Sequence, residues 1–180
     1  MILVDHQIRK LCEEGLVTPY DPSLVNPASL DLRLGNWIKV EADLKIGQGW
    51  ANSVAYDDVC IEKFSQEKPY WLAPNQFILA ESMEVFHMPD NVCGKYVQKS
   101  SRAREGMDHL NAGYADCGWS GSRLTFEFKN LLQRHGVAIW PGMKCGQMIF
   151  WNTAEMPEQS YSVVGNYNND LRVTASKGHL

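Results

Sequence analysis

The chain has 180 residues, which favours one domain, and its 44% hydrophobic and 21% charged residues exclude an intrinsically disordered protein. A formal net charge of -4 excludes a general basic footprint for DNA or RNA, so any polyanion must meet a local cluster of cations. The five cysteines are scattered without the spacing of zinc or redox motifs, and no window resembles a signal peptide or a membrane span. We therefore expect a protein of a reducing cytoplasm, or of the host cytoplasm if its source is viral.

Taken in chain order, the first predicted element is a helix over 5–14, with Asp5 as its N-terminal cap. Turn sequences such as Gly35-Asn36 then separate many short strand-like runs. Runs that alternate apolar and polar residues lie at 29–34, within 76–84 and at 124–128. One helix followed by many short strands predicts a mainly β fold, either a sandwich or a barrel.

The last segment, 154–180, is polar and poor in large aliphatic side chains. It is predicted to be either a frayed chain end or a mobile lid over a site in a first domain at 1–153. Side chains suited to closing over a nucleotide are Tyr161, Tyr167, Arg172, Ser176 and Lys177.

A basic cluster at 99–104 is the first candidate site, and it contains Lys99, Ser100, Ser101, Arg102 and Arg104. Charges at a turn usually face water. Here the adjacent hydroxyls favour binding of an anion such as a triphosphate, since hydroxyl, guanidinium and backbone N–H groups together suit phosphate oxygens.

Two carboxylates follow this cluster. Glu127 lies in an otherwise apolar strand, where it is either a solvent-facing edge residue or a general base. Asp116 precedes Cys117-Gly118 and is either a turn residue or an acceptor for a sugar hydroxyl. His109 is interpreted as structural.

Several nucleotide-enzyme signatures are absent. No histidine is followed two residues later by glutamate and there is no C-x-x-C, which excludes the zinc signature of nucleoside deaminases. P-loop and dinucleotide-binding fingerprints are also missing. The missing signature therefore excludes a zinc nucleoside deaminase.

Motifs along nearly the whole chain resemble the family of dCTP deaminases and trimeric dUTPases, and within it the dCTP deaminase branch. NPASLDLRLGN at 26–36 resembles an early S-x-D-x-R-L-G strand, and QKSSRAREG at 98–106 an S-S-x-A-R element. HLNAGYADCGWSG at 109–121 and LTFEFKN at 124–130 resemble the T-A-x-x-D-P-G-W-x-G and L-E-x-x-N signatures.

The resemblance implies a distorted β-barrel that forms homotrimers with active sites between subunits. It implies hydrolytic deamination of dCTP to dUTP and ammonia without a protein-bound metal, with Mg2+ carried on the triphosphate and no zinc. The substrate could also be dUTP or a modified cytosine deoxynucleotide.

Carried over to this sequence, the resemblance makes Glu127 the general base and Arg104 its ion-pair partner. Ser100 and the Ala112 carbonyl would position the attacking water. Substrate contacts would come from Lys99, Ser100, Ser101, Arg102, Arg104, Asp116, Thr125, Phe126, Glu127, Gln147, Tyr161, Asn166 and Asp170.

The chain departs from the family pattern in several places. Cys117 replaces the usual proline and Asn111 the usual threonine. Asn166 and Asp170 stand where the family places Lys and Gln on the triphosphate. An acid at position 170 repels phosphate unless Mg2+ intervenes or Arg172 compensates.

The sequence therefore leaves three candidate functions. The main expectation is a dCTP deaminase that releases dUTP, with continuation to dUMP by a bifunctional enzyme as the alternative. The second is a dUTPase in which Asp116 activates water against the α-phosphate. The third is a non-catalytic protein that binds nucleotides or a protein partner as a regulator.

Overall fold

The computed structural model describes residues 1–43 and 55–178. Twelve strands, three short α-helices and a 3-10 turn make up this part of the chain. The strands are β1 (Val17–Thr18), β2 (Val25–Asn26), β3 (Ser29–Glu41), β4 (Tyr56–Cys60), β5 (Tyr70–Leu72), β6 (Phe77–His87), β7 (Val92–Gln98), β8 (Met107–His109), β9 (Tyr114–Ala115), β10 (Ser120–Asn130), β11 (Val137–Ile139) and β12 (Lys144–Asn152). The helices are α1 (Asp5–Glu13), α2 (Ser100–Arg104) and α3 (Tyr161–Val164).

Ten of the strands form one curled sheet. Its main path runs β8-β10-β6-β3-β12-β7-β9, and β11 and β5 form a separate pair. All the pairings are antiparallel. The predicted mainly β, distorted-barrel fold with one N-terminal helix is confirmed.

Helix α1 confirms the predicted helix with a different cap. Val4 is the N-cap, and Asp5 is the first helical residue. The side chain of Gln7 accepts the backbone N–H of Val4 at 3.1 Å, so a side chain from the first turn satisfies the N-cap N–H in place of an Asp5 cap. Ile8 and Cys12 are buried on the predicted apolar face.

Strand β3 is longer than predicted because Gly35 and Asn36 lie inside it and do not form a turn. A Cβ at Gly35 would collide with the Glu81 side chain and crowd the backbone carbonyl of Ser82 on β6. The register between β3 and β6 shifts between Leu34 and Ile38. Glycine is therefore required here for close approach of two strands at an irregularity.

Strand β10 separates the core from the site. Its burial alternates residue by residue, and Leu124, Phe126 and Phe128 point into the core. The opposite face carries Thr125 and Glu127, which are half-buried. The face occupied by Glu127, which the sequence pattern left open, is therefore the one turned away from the hydrophobic core.

The C-terminal tail, residues 154–178, runs back along β10. The backbone N–H of Asn169 donates to Ser120 O at 3.1 Å, and the N–H of Arg123 donates to Asp170 O at 2.9 Å. Within the ranges 1–43 and 55–178 no helix is long and apolar enough to cross a membrane. All five cysteines are free thiols, and Cys12 and Cys145 are buried.

Candidate active site

One cavity of about 410 Å³ lies against the outward face of β10. Its wall comes from β10, from the segment 112–119 and from the C-terminal tail, with contributions from Tyr56 and Leu79. Six of the predicted site residues line it: Ala112, Asp116, Thr125, Glu127, Tyr161 and Asp170. The fold therefore brings residues from three separate segments to one place.

Glu127 is the most chemically informative of these residues. Its side chain is 22% exposed and lines the cavity. Burial raises the pKa of Glu127, because the ionised carboxylate loses water that no cation replaces. A carboxylate with a raised pKa is a better proton acceptor near neutral pH than an ordinary glutamate.

His109 faces Glu127. It lies on β8, whose register sets His109 opposite Phe128 on β10. The His109 Nε2 atom lies 3.2 Å from Glu127 Oε2. The two atoms are not aligned as a full hydrogen bond, and neither has another partner among the residues that the structure describes.

The proton of His109 can be placed from its other ring nitrogen. The backbone N–H of Asn111 donates to His109 Nδ1 at 3.0 Å, so Nδ1 is an acceptor and is unprotonated. Burial lowers the pKa of His109 to about 4, so the ring is neutral at pH 7. The neutral ring must carry its proton on Nε2, the nitrogen that lies 3.2 Å from Glu127 Oε2.

Sequence reasoning missed this role of His109. A single histidine in a three-residue strand has no local signature, and it was interpreted as structural. Only the cross-strand register with β10 places His109 beside Glu127. The Tyr96 ring packs beside His109 at an interplanar angle of 42°, with ring centroids 4.4 Å apart.

The segment after His109 forms the next part of the wall. Leu110 N–H donates to the Glu127 carbonyl at 3.1 Å, and Asn111 has a φ of 64°. Asparagine tolerates this left-handed conformation better than the β-branched threonine that the family pattern favours. Gly113 lies too close to the Tyr96 side chain for a Cβ. Ala112 is thereby held at the cavity between two constrained neighbours.

Asp116 lines the cavity just after β9, next to Cys117. The Cys117 carbonyl accepts the backbone N–H of Tyr161 at 3.0 Å, which ties the start of α3 to this turn. The following Gly118 has a φ of 83°. The replacement of proline by Cys117 therefore leaves a turn that still carries Asp116 to the cavity.

The C-terminal tail closes one side of the cavity. Trp119 Nε1 donates to the Tyr167 carbonyl at 2.7 Å, and the Ser122 hydroxyl donates to the same oxygen at 2.8 Å. Tyr167, Asp170 and 174–176 line the cavity. The Lys177 ammonium lies 2.8 Å from Asp170 Oδ2.

The basic cluster of α2 and Gln147 lie outside this cavity. Lys99 Nζ contacts Asp31 Oδ1 at 2.6 Å, and Arg102 pairs with Glu105 at 2.5 Å. The Gln147 side chain accepts from the Ser29 hydroxyl at 3.0 Å. Ser100 and Ser101 begin the helix, away from the cavity wall.

Arg104 does not reach Glu127 within one chain. Over residues 1–43 and 55–178, no carboxylate lies within ion-pair distance of Arg104. The reason is topological, because α2 leads into β8 and β8 begins opposite Asn130, at the far end of β10. The two residues are not paired within one chain, and the predicted pairing of Arg104 with Glu127 stays a prediction for two subunits.

Within the described parts of the chain, no three histidine, cysteine or carboxylate side chains cluster as metal ligands.

Curated relatives match the chain over its whole length. A "dCTP deaminase, dUMP-forming" of Methanosphaerula palustris is 38% identical over 99% of this chain and 96% of its own length. The protein of the same name from Corynebacterium efficiens is 33% identical over 100% of this chain and 95% of its own.

Solved structures agree with the fold. The 2'-deoxycytidine 5'-triphosphate deaminase from Agrobacterium tumefaciens superposes with a TM-score of 0.64 at 23% identity, covering 84% of this chain. This chain spans about half, 48%, of that protein. A dUTPase from Streptococcus mutans has a TM-score of 0.50 at 15% identity, over 79% of this chain and 97% of that one.

These relatives correct one expectation. The main expectation from sequence was a reaction that ends at dUTP, with continuation to dUMP only as the alternative. The relatives with high coverage are named dUMP-forming. The expectation of dUTP as the product is therefore wrong, and the findings favour the alternative.

The family assignment rests on a match that covers most of the chain. The sequence model described as "dCTP deaminase-like" matches residues 2–153. This range includes β10 with Glu127, β8 with His109 and the turn with Asp116. Together with the relatives that are more than 30% identical over the whole chain, this match shows that the protein belongs to the dCTP deaminase-like family.

Proposed function

We propose that this protein is a bifunctional enzyme that converts dCTP to dUMP, ammonia and pyrophosphate. The observation that carries the proposal is one cavity lined by two carboxylates from different segments, Glu127 and Asp116. Two hydrolytic steps at two ends of a nucleotide need two water-activating groups. The names of the curated relatives support the same overall reaction.

In the deamination step, Glu127 takes a proton from a water that attacks C4 of the cytosine ring. The attack breaks the C4–N3 π bond and places its electron pair on N3. The carboxylic acid returns its proton to the amine nitrogen, which leaves as ammonia, and the proton of the new C4 hydroxyl moves to N3 as the C4 carbonyl forms. The neutral His109 carries its proton on Nε2, 3.2 Å from Glu127 Oε2, and after a small realignment in the substrate complex it would donate this proton and orient the carboxylate without supplying a charge. The Ala112 carbonyl helps to hold the water.

In the second step, Asp116 activates a water against the α-phosphorus. The new P–O bond forms as the bond between the α-phosphorus and the bridging oxygen breaks, which leaves dUMP and pyrophosphate. The substrate enters as its Mg2+ complex, in which the ion neutralises phosphate charge and assists the leaving pyrophosphate. Asp116 also accepts a hydrogen bond from the sugar hydroxyl.

We further propose that a second copy of the chain completes the site, in a trimer, through its basic cluster on α2. Within one chain this cluster lies outside the cavity, and Arg104 has no carboxylate partner among the described residues. Its guanidinium would then meet Glu127 of the neighbouring subunit. The C-terminal tail would act as a lid over the bound nucleotide.

The test is product identification. Purified protein is incubated with Mg2+ and dCTP, and nucleotides are separated by ion-exchange chromatography while ammonia and pyrophosphate are measured. We expect dUMP, ammonia and pyrophosphate in equal amounts, with no effect of a zinc-selective chelator. Release of dUTP without dUMP would contradict the bifunctional reaction, and tight binding without turnover would support a regulator.

A further inference from the structure

The cavity has an unfavourable charge for an anionic ligand. Three carboxylates line it, Asp116, Glu127 and Asp170, whereas the one cationic side chain among its lining residues is Arg123. The Arg123 guanidinium is held in place by donating to the backbone carbonyls of Ser82 and Leu171, at 2.7 and 3.2 Å. Its single positive charge leaves the lining of one chain net negative, so a further cation of the same chain at the mouth would favour phosphate binding.

Such a cation is Lys177. Its Nζ contacts Asp170 Oδ2 at 2.8 Å and Oδ1 at 3.1 Å, and donates to the Asn166 carbonyl at 2.6 Å. It also lies 5.0 Å from the centre of the Tyr167 ring. Tyr167 and Asp170 both line the cavity, so the ammonium stands at its rim and is directed by a carboxylate.

The other cation of the tail is engaged elsewhere. Arg172, which together with Mg2+ was one of two alternatives for compensating Asp170, has its guanidinium carbon 4.4 Å from the centre of the Trp37 ring. Lys177 contacts both Asn166 and Asp170, the two positions where this chain lacks the Lys and Gln of the family pattern. It therefore brings a cation to that part of the tail. Its side chain is 34% exposed and retains ammonium protons for a further acceptor.

We propose that Lys177 binds a phosphate of the nucleotide and that Asp170 positions its ammonium for this contact. The inference rests on the proposed function for the identity of the ligand. Asp170 then opposes the phosphates electrostatically while it orients the cation that binds them. Lys177 thus supplies a positive charge near positions 166 and 170, where Asn166 and Asp170 have none.

Binding measurements on charge variants test the proposal. Calorimetry is done in a Glu127→Gln background, which limits turnover, with deoxycytidine, dCMP and dCTP in the presence of Mg2+. We expect Lys177→Gln to weaken dCTP binding about tenfold, the effect of losing one charge-assisted hydrogen bond, and to leave deoxycytidine unchanged. Lys10→Gln is the matched control, because Lys10 also pairs with a carboxylate, Glu14, on an exposed surface.

The companion variant Asp170→Asn has the opposite expected sign. It keeps an amide oxygen that can still position the Lys177 ammonium but removes a negative charge near the phosphates, so dCTP should bind about threefold more tightly. If the Lys177–Asp170 pair only fastens the tail, both variants would weaken dCTP and deoxycytidine alike, and the proposal would be overturned. Weaker dCTP binding by Asp170→Asn only when Mg2+ is present would also overturn it, because Asp170 would then hold the ion.

Failure of this inference is distinguishable from failure of the proposed function. Product formation by the unmodified protein tests the reaction and does not depend on Lys177. If the protein forms dUMP but Lys177→Gln binds dCTP as tightly as the background protein does, the reaction stands and the role of Lys177 is wrong.

Discussion

Two halves of one continuous stretch, 98–130, have different positions in the fold. The second half places Asp116 and Glu127 on the wall of a single cavity. The first half places Lys99 and Arg102 in ion pairs with Asp31 and Glu105, outside that cavity. Residues close in sequence therefore do not share a site in one chain, because α2 and β8 turn between them.

This comparison indicates which parts of the site one chain can build alone. The acidic half is held by cross-strand register and by the tail, and its geometry is complete in one copy. The basic half is presented on a short helix at the far end of β10. If the function proposed above is correct, the basic half must serve a cavity in another copy.

Glu127→Gln gives the largest effect on the acidic half. We expect deamination of dCTP to fall by about 10²–10⁴-fold, since the amide cannot accept a proton from water. Hydrolysis of supplied dUTP to dUMP should persist, because it depends on Asp116. Steady-state rates with each nucleotide measure this, with the exposed Glu14→Gln as the control. Equal loss of dCTP deamination and dUTP hydrolysis would show that Glu127 and Asp116 do not each serve a separate step.

Mixing two inactive variants tests the separation of the halves most directly. Arg104→Ala and Glu127→Gln are each expected to be inactive for deamination. Each shared site needs an intact Arg104 from one subunit and an intact Glu127 from another. When the two variants are co-refolded at equal amounts, about a quarter of the sites combine both intact residues, so roughly a quarter of the unmodified activity should return. The measurement is dCTP deamination by the mixture against each variant alone. No recovery, with trimers formed, would place both residues in the site of the same chain.

His109→Phe is expected to reduce kcat for deamination by about tenfold, because the Nε2–H that would donate to the carboxylate after realignment in the substrate complex is lost. Without this donor the carboxylate form of Glu127 in the complex is less stable, so its pKa rises further. The acid limb of the kcat–pH profile should then move to higher pH. His109→Gln can offer an N–H near the same place and should restore part of the rate. An unchanged acid limb in His109→Phe would show that the contact has no effect on Glu127.

The smallest expected effect concerns stability. The folded-state pKa of Glu127 is raised above its ordinary value of 4.5, so its contribution to stability is present below that value and is lost as pH rises through the folded-state pKa. At pH 7 the buried charge is therefore destabilising. In an Arg104→Ala background, which removes the cation proposed to come from a neighbouring subunit, Glu127→Gln should raise Tm at pH 7 by about 2–4 °C, with the difference from Arg104→Ala alone disappearing near pH 4. A lower Tm at pH 7 would contradict the desolvated carboxylate.

Much of the fold was predictable because local patterns and the final structure agree. Helix α1 follows its apolar face, and the alternation at 124–128 continues through the whole of β10. Gly35 was misinterpreted as part of a turn, because a glycine that lets two strands approach closely has the same local appearance as one in a loop. The contact with Glu81 that explains it is long-range.

The site was less predictable for the same reason. Glu127 and Asp116 were found through motifs, whereas His109 depends on its register opposite Phe128. The sequence offered Mg2+ or Arg172 to compensate the charge of Asp170, whereas the structure pairs Asp170 with Lys177 because the tail folds back on itself. Arg172 is closer to Asp170 in the sequence than Lys177 is, but Lys177 is the residue that contacts it.

The hydrogen bond from Trp119 Nε1 to the Tyr167 carbonyl has a further consequence. Trp119 lines the cavity and its ring stacks on Phe86, with centroids 5.3 Å apart. If the tail lifts, the indole loses a backbone partner and gains water, so its emission spectrum should shift to longer wavelength. The protein thus contains an intrinsic optical reporter of tail opening, readable as the difference between the unmodified chain and Trp119→Phe during a single turnover.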